Sequence, residues 1–299
     1  MFEAKIIAHS TSNSGKEILT YQLKYPRFIH AEFMTHRLFS RNASSSRAIP
    51  VAKMIEQVRT NPARPIHWGA NQSGMQADQE LDSDAKYGCE IAWDAAARFA
   101  IQCAEDMVSR GLHKQVVNRI LEPFQWISVV VTATEWENFH ALRSHKDAQP
   151  EIKLLSDMML EARSKSTPRL LSENMWHLPY ADNHKDWTEV FSYLKKDREP
   201  SISEVNEILK KVSAARCARV SYLTHDGMPT TVDIDLSLCE RLAGSQPFHA
   251  SPFEHQATPD YFDDKFNQWR NKERHGNFVG WIQARKMMKG EHITDYQYT

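Results

Sequence analysis

"RILEPFQWISVVVTATEWENFHALR", residues 119–143, changes character twice along its length. Its centre, "WISVVVTA" (126–133), is apolar and valine-rich, which predicts a buried β-strand. The run is too short to cross a bilayer, which takes about 20 apolar residues as a helix. The preceding "RILEP" reads as a helix end, because Pro123 cannot continue a helix. Thr132 followed by Glu135 has the form of a capping box, so a new helix is expected from there to Arg143.

Upstream, "AKIIA", the turn "STSNSG" and "EILTYQLKYP" read as a hairpin, with Leu19, Tyr21 and Leu23 alternating with polar neighbours. Pro26 ends the second strand, and "FIHAEFMTHRLFS" (28–40) reads as a helix. Pro62, Pro65, Gly69 and Gly74 mark a loop over 62–83. A long helix is predicted from about Asp84 to Arg110, because Ile91, Ala95, Phe99, Cys103 and Val108 keep near-helical spacing and Gly111 is a stop. Downstream, helices are expected at 149–165 and 203–214, then an α/β mixture. No low-complexity tract or linker interrupts the chain, so 1–299 reads as one α+β domain.

Composition narrows the function classes. The chain is 41% hydrophobic and 25% charged with a net charge of −1, so no global basic field draws it to nucleic acid. Any phosphate recognition must be local. The opening "MFEAKIIAHS" carries Glu3 and Lys5 and no apolar core, so a secretory signal is not expected. Cys89, Cys103, Cys217 and Cys239 form no CxxC pair and read as reduced, mostly buried thiols of a cytoplasmic, non-membrane protein.

The ten glycines include no GxG and no P-loop, so a bound nucleotide is not held by a glycine-rich cradle. In "HASPFEH", His249, Glu254 and His255 lie close together, but the spacing does not set both histidines on one helical face, and no metal is expected. The arginines are more informative. "THRLFSRNASSSRAIP" (35–50) offers His36, Arg37, Arg41, Asn42, Ser45 and Arg47, and guanidinium groups with hydroxyls make a phosphate cradle. Arg119 and Arg143 close two helices; taken singly, each reads as a solvated or capping side chain.

Together these segments resemble the flavin-dependent thymidylate synthases. "PRFIHAEFMTHRLFSRNASSSR" follows that family's signature, an RHR triplet, a Ser, an Asn-Glu and a Ser-x-Arg. His36 and Arg37 match the last two members of the triplet, Ser40 and Asn42 the middle, and Ser45 and Arg47 the end. "NRILEP" is similar to the family's "ARxxLP", and "TATEWENFHALR" to its "NxRxxxNFxxLR". "SAARCARVSY" and "FHASPFEH" resemble two blocks that precede the signature in the family but follow it here, as in a circular permutation. Thr35 replaces the first Arg of the triplet, Ala43 the Glu after Asn, and Glu32 a Gln. "FVGWIQARK" (278–286) echoes "FIHAEFMTHR", which makes Arg285 a candidate stand-in for the missing arginine.

The resemblance implies a mainly antiparallel sheet flanked by long helices, with a nucleotide and flavin half at 1–150 and a permuted half at 200–299. It implies transfer of a one-carbon unit from 5,10-methylenetetrahydrofolate to C5 of a pyrimidine deoxynucleotide, dUMP to dTMP, with FAD and NADPH. Arg143 is implied as the catalytic residue that activates the uracil. Glu32, Ser45, Ser46, Arg47, Arg119 and Arg143 are implied to bind nucleotide. His36, Arg37, Asn42, Thr132, Thr134 and Asn138 are implied to hold the flavin, together with Ser221, His249, Ser251 and Glu254. A homotetramer is also implied. Glu32 and Ala43 motivate a second reading, a methylase or hydroxymethylase of dCMP or dUMP. The broken triplet motivates a third, a non-catalytic nucleotide-binding protein.

Overall fold

The run Trp126–Ala133 is a central strand, with neighbours on both sides. The structure, a computed structural model, describes residues 1–195, 198–222, 230–245 and 248–292. Among these, the main sheet contains β1 (Glu3–Ser12), β2 (Glu17–Pro26), β3 (Ser40–Ala43), β4 (Trp126–Ala133) and β5 (Arg169–Leu171), in the order β3-β4-β2-β1-β5. All pairs are antiparallel except β1 with β5. The fold is α+β, an antiparallel-dominated sheet with long helices.

Nine helices follow in chain order among the described residues: α1 (His30–Phe33), α2 (Val51–Thr60), α3 (Ser83–Ser109), α4 (Lys114–Ile120), α5 (Glu137–Arg143), α6 (Pro150–Ser164), α7 (His184–Leu194), α8 (Ile202–Arg219) and α9 (Val232–Ala243). None is long and apolar enough to cross a membrane. Short strands complete the set: β6 (Ala257–Pro259) pairs with β9 (Trp281–Gln283), and β7 (Phe262–Asp263) with β8 (Gln268–Trp269).

Alternation along the strands assigns the two faces of the sheet. Leu19, Tyr21, Leu23 and Tyr25 of β2 join Ile127, Val129 and Val131 of β4 in the main core, closed by Phe139 of α5 and Ile152, Leu155 and Met159 of α6. The opposite face carries hydroxyls, and here the register matters. Thr20 lies directly opposite Thr132, and their Oγ1 atoms are 2.7 Å apart. His177 bridges Thr20 (2.8 Å) and Ser10 of β1 (2.9 Å), and Thr132 meets His255 Nδ1 at 2.8 Å. The line Ser10–His177–Thr20–Thr132–His255 is fully buried. Val130 packs beside it against Cys217 and Val220, at the end of α8.

Several sequence expectations need correction. Thr132 does not begin a helix: it stays in β4, and α5 starts at Glu137 without a side-chain cap, because the Thr132 hydroxyl is engaged across the sheet. The predicted helix over 28–40 is only a 3₁₀ turn and α1. Arg41 takes the carbonyls of Met34 (3.1 Å) and His36 (2.9 Å), and Ser40–Ala43 pairs with β4 instead. Helix α8 runs on to Arg219, where Arg216 and Arg219 both pair with the buried Asp235 of α9. The long helix has the expected bounds, but its periodic residues face outward. Ala97, Ala100, Ile101 and Ala104 meet the core, while Ile91 and Phe99 are 49% and 66% exposed. Cys217 and Cys239 are buried, as expected, whereas Cys89 is exposed.

Replacing Thr132 with Val leaves His255 Nδ1 without a partner and Thr20 with His177 as its remaining one, and such a loss costs about 1–3 kcal/mol. A lowered urea midpoint at unchanged slope is the expected reading. Burial also holds His177 and His255 down to about 3, far below an ordinary imidazole. The unfolded chain binds these protons near pH 6.5 and the folded chain does not, so their contribution is whole above that pH and is lost as pH falls towards 3. Unfolding free energy measured from pH 7 to 4 should decline; a flat profile would count against the buried neutral pair.

Candidate active site

Two short segments bring the cleft together. Helix α1 is a single turn anchored by Phe33, whose ring meets Phe39 and Phe139 at centroid distances of 5.7 and 5.8 Å. Helix α5 buries Phe139, and Arg143, four residues on, emerges from the same face. The His36 ring lies edge-on to Phe139 at 4.8 Å and stacks on Phe39 at 5.7 Å. These contacts set the imidazole where Arg143 can reach it.

Arg143 is the hub. Its Nε donates to His36 Nε2 at 2.9 Å, its Nη1 pairs with the Glu32 carboxylate, and its Nη2 lies 3.4 Å from Thr35 Oγ1. Thr35 is tied back to the Glu32 carbonyl at 2.7 Å. His36 accepts through Nε2 and is therefore neutral; burial, then Arg143 and Arg41, bring its pKa down to about 4. Arg143 and Glu32 both line a cleft of about 1190 Å³, walled by Phe28, Trp93, Met75 and Leu142 and carrying His67, His145 and Lys146. Clefts of roughly 300–1,000 Å³ already hold a drug-sized ligand. The structure thus joins Glu32 and Arg143, expected at the nucleotide, with His36, expected at the flavin, and adds three cationic or imidazole groups that no motif had flagged.

The expected phosphate residues lie in a second cluster. Ser46 Oγ and Arg119 Nη1 meet on Glu122 Oε1, at 2.7 and 2.9 Å. Ser45 donates its backbone N–H to the Ser221 carbonyl at 2.9 Å, which ties this loop to the end of α8. Arg47 is exposed. Glu122 and its further partner Arg27 were missed as site residues, although "LEP" beside Arg119 showed a carboxylate in the sequence.

The residues matched to flavin divide by burial. Arg37, Asn138, His249 and Ser251 are exposed, and a guanidinium, an amide, an imidazole and a hydroxyl suit an anionic dinucleotide. The others are engaged within the chain. Thr132 is fully buried between Thr20 and His255, so it supports the site from beneath rather than contacting a ligand. The Asn42 amide is buried as well, with its nitrogen toward the carbonyls of Arg41 (3.0 Å) and Ser251 (3.2 Å). Thr134 Oγ1 accepts from Val279 N–H at 3.0 Å, and Glu254 pairs with Arg285. Arg285 also holds Glu291 at 2.8 Å, so it braces the C-terminal segment and does not enter the triplet's place beside Glu32. Among the described residues no cluster of metal-binding side chains occurs, and burial raises the Cys217 thiol well above its usual range, which removes it as a nucleophile.

An antiparallel sheet with long helices, carrying an arginine–carboxylate cleft, defines an α+β protein. Residues 11–169, just over half of the chain, match the family described as thymidylate synthase complementing protein, Thy1, and the chain belongs to that family. No curated protein sequence matches it significantly. Similar solved structures include the UMP/dUMP methylase PolB from Streptomyces cacaoi bound with 5-Br UMP, at 16% identity and a TM-score of 0.46, covering 55% of this chain and 89% of that one. Thymidylate synthase X (ThyX) from Helicobacter pylori with FAD and dUMP is similar at 13% identity and a TM-score of 0.36, over 49% of this chain and 67% of that one.

The His36–Arg143 contact makes a direct prediction. Arg143→Gln removes a positive charge beside the imidazole, so the His36 pKa should rise from about 4 but stay below 6.5, because burial is its largest cause. Titration of the ring by NMR measures it; an unmoved value would contradict the contact.

Proposed function

We propose that the chain transfers a one-carbon unit from methylenetetrahydrofolate to C5 of a pyrimidine deoxynucleotide, dUMP to dTMP, as a flavoenzyme using FAD and NADPH. The observation that carries this reading is the cleft: in a Thy1-family chain, the planar donors of Arg143 and the carboxylate of Glu32 face one space large enough for a nucleotide and a second ring. When bound, FAD would supply the hydride. Arg143 stabilises negative charge on the pyrimidine as the bond to C5 forms, with donors preset by His36 and Thr35. No thiol adduct is required of the chain, in keeping with its buried Cys217 and Cys239. Ser45, Ser46, Arg47 and Arg119 hold the 5′-phosphate, and Arg37, Asn138, His249 and Ser251 hold the flavin.

Glu32 favours a second reading, a cytosine nucleotide as substrate. A carboxylate beside the arginine gives the cleft an acceptor as well as donors, which suits an exocyclic amine. Incubation with FAD, NADPH, methylenetetrahydrofolate and either dUMP or dCMP, followed by mass analysis of the nucleotide, separates the two. No product from either, in a protein lacking the 450 nm flavin band, would point to a non-catalytic nucleotide-binding role.

Arg143→Lys should lower turnover about a hundred- to a thousandfold, as loss of a preorganised donor does, because Lys keeps charge but loses the planar fork. Flavin reduction by NADPH should survive. Product formation at the wild-type rate would return Arg143 to a capping role.

An oligomer is also part of the proposal. Tyr87, Ile91, Ala95 and Phe99 form an exposed stripe at helical spacing on α3, an apolar face suited to another copy of the chain. Phe99→Glu should reduce the mass measured by light scattering, and an unchanged mass would place the interface elsewhere.

A further inference from the structure

Three donors converge on one oxygen of Glu122. Ser46 Oγ lies 2.7 Å from Oε1, Arg119 Nη1 2.9 Å and Arg27 Nη2 3.1 Å. Two guanidinium groups and a hydroxyl are a donor set for a phosphate oxygen, and here a carboxylate of the chain itself fills it. The donors come from three separate places: Arg27 directly follows β2, Ser46 lies beyond β3, and Arg119 is in the last turn of α4. Asn118, fully buried, holds the Ser46 and Ile49 carbonyls at 2.6 and 2.9 Å, so the serine loop is fixed before any ligand arrives.

The carboxylate is less firmly enclosed than two of its three partners, Arg119 being the more exposed at 54%. The Ser46 residue is 2% exposed and the Arg27 side chain 16%, against 26% for the Glu122 side chain, which leaves Glu122 a way out to solvent. Burial lowers the Arg27 pKa and Glu122 opposes that shift, so in the resting chain the carboxylate balances a charge that would otherwise lie desolvated. A phosphate dianion could take over that task.

Resting on the nucleotide reading above, we propose that Glu122 is a built-in competitor for the nucleotide 5′-phosphate, and that Arg27 is a further phosphate ligand uncovered when Glu122 swings out. Binding then exchanges one anion for another on the same two arginines. The exchange favours a doubly charged phosphate over weaker anions, because the incoming group must outbid a carboxylate already in place.

Titration calorimetry on the full chain tests this with three probes: inorganic phosphate, a pyrimidine nucleoside 5′-monophosphate and the corresponding nucleoside. A neighbouring charge within about 4–6 Å shifts an ionisation by roughly one to three pK units. Glu122→Gln should therefore tighten both phosphate-bearing probes by roughly tenfold or more and leave the nucleoside unchanged. Glu122→Asp keeps the charge but cannot span all three donors, and should give a smaller gain; it also serves if the Gln variant unfolds. Adding Arg27→Gln to either variant should abolish its gain.

Monophosphate affinity that is unchanged or weaker in both Glu122 variants overturns the competitor, while leaving the nucleotide reading intact if the wild type still binds monophosphate. A gain for inorganic phosphate alone, with no monophosphate binding by any form, supports the competitor and sinks the nucleotide reading. No phosphate binding by any form sinks both.

Discussion

Much of the molecule depends on the pairing of Thr20 with Thr132 across the middle of the sheet. A hydroxyl buried on a strand must find a partner or cost stability, and these two can satisfy each other only in this register. Each keeps one further hydrogen-bonding position, met by His177 on one side and His255 on the other. Both histidines come from beyond residue 170, so the later part of the chain has to fold back over this face. The apolar contacts that accompany it, Val130 with Cys217 and Val220, and Ile18 with Leu171, Phe278 and Trp281, give the return its driving force.

The same return stiffens the cleft's surroundings. Asn277 donates to the Leu38 carbonyl at 2.7 Å, and Gln283 reaches Asn277 and the Glu254 carbonyl at 2.9 and 3.1 Å. Gly276 makes room for this, since a Cβ there would sit 2.6 Å from Gln283 Oε1 and its φ is +63°. The segment from His36 to Asn42 is thus held from two sides, by aromatic rings below and by a C-terminal brace beside it. Arg143 is thereby set against a fixed surface, with His36 held in place beneath its guanidinium.

Much of this was legible in the sequence, though unevenly. The hairpin, the strand at 126–133 and the helices at 84–110 and 149–165 follow from period and punctuation, both local properties. Family resemblance singled out Arg143, His36 and Glu32, but their mutual contact was not legible, because 107 residues separate Arg143 from His36. What failed was whatever depended on a distant partner. Thr132 looked like a helix cap because its bond to Thr20 is invisible to a local pattern, and the spacing of Ile91 and Phe99 located the helix without saying which side is inward. Glu122 escaped notice for a related reason: a carboxylate three residues from an arginine reads as a routine surface pair unless Arg27 and Ser46 are seen to share it.

The stretch marked by the family match, residues 11–169, relies on groups between His177 and Gln283 to complete its buried face. A recombination event that exchanged the marked stretch with that of a distant relative would import a sheet whose hydroxyls expect other partners. Such hybrids should survive only where the newcomers at positions 20 and 132 still meet an imidazole from the far end. A change at Thr20 or Thr132 then calls for a matching change at His177 or His255.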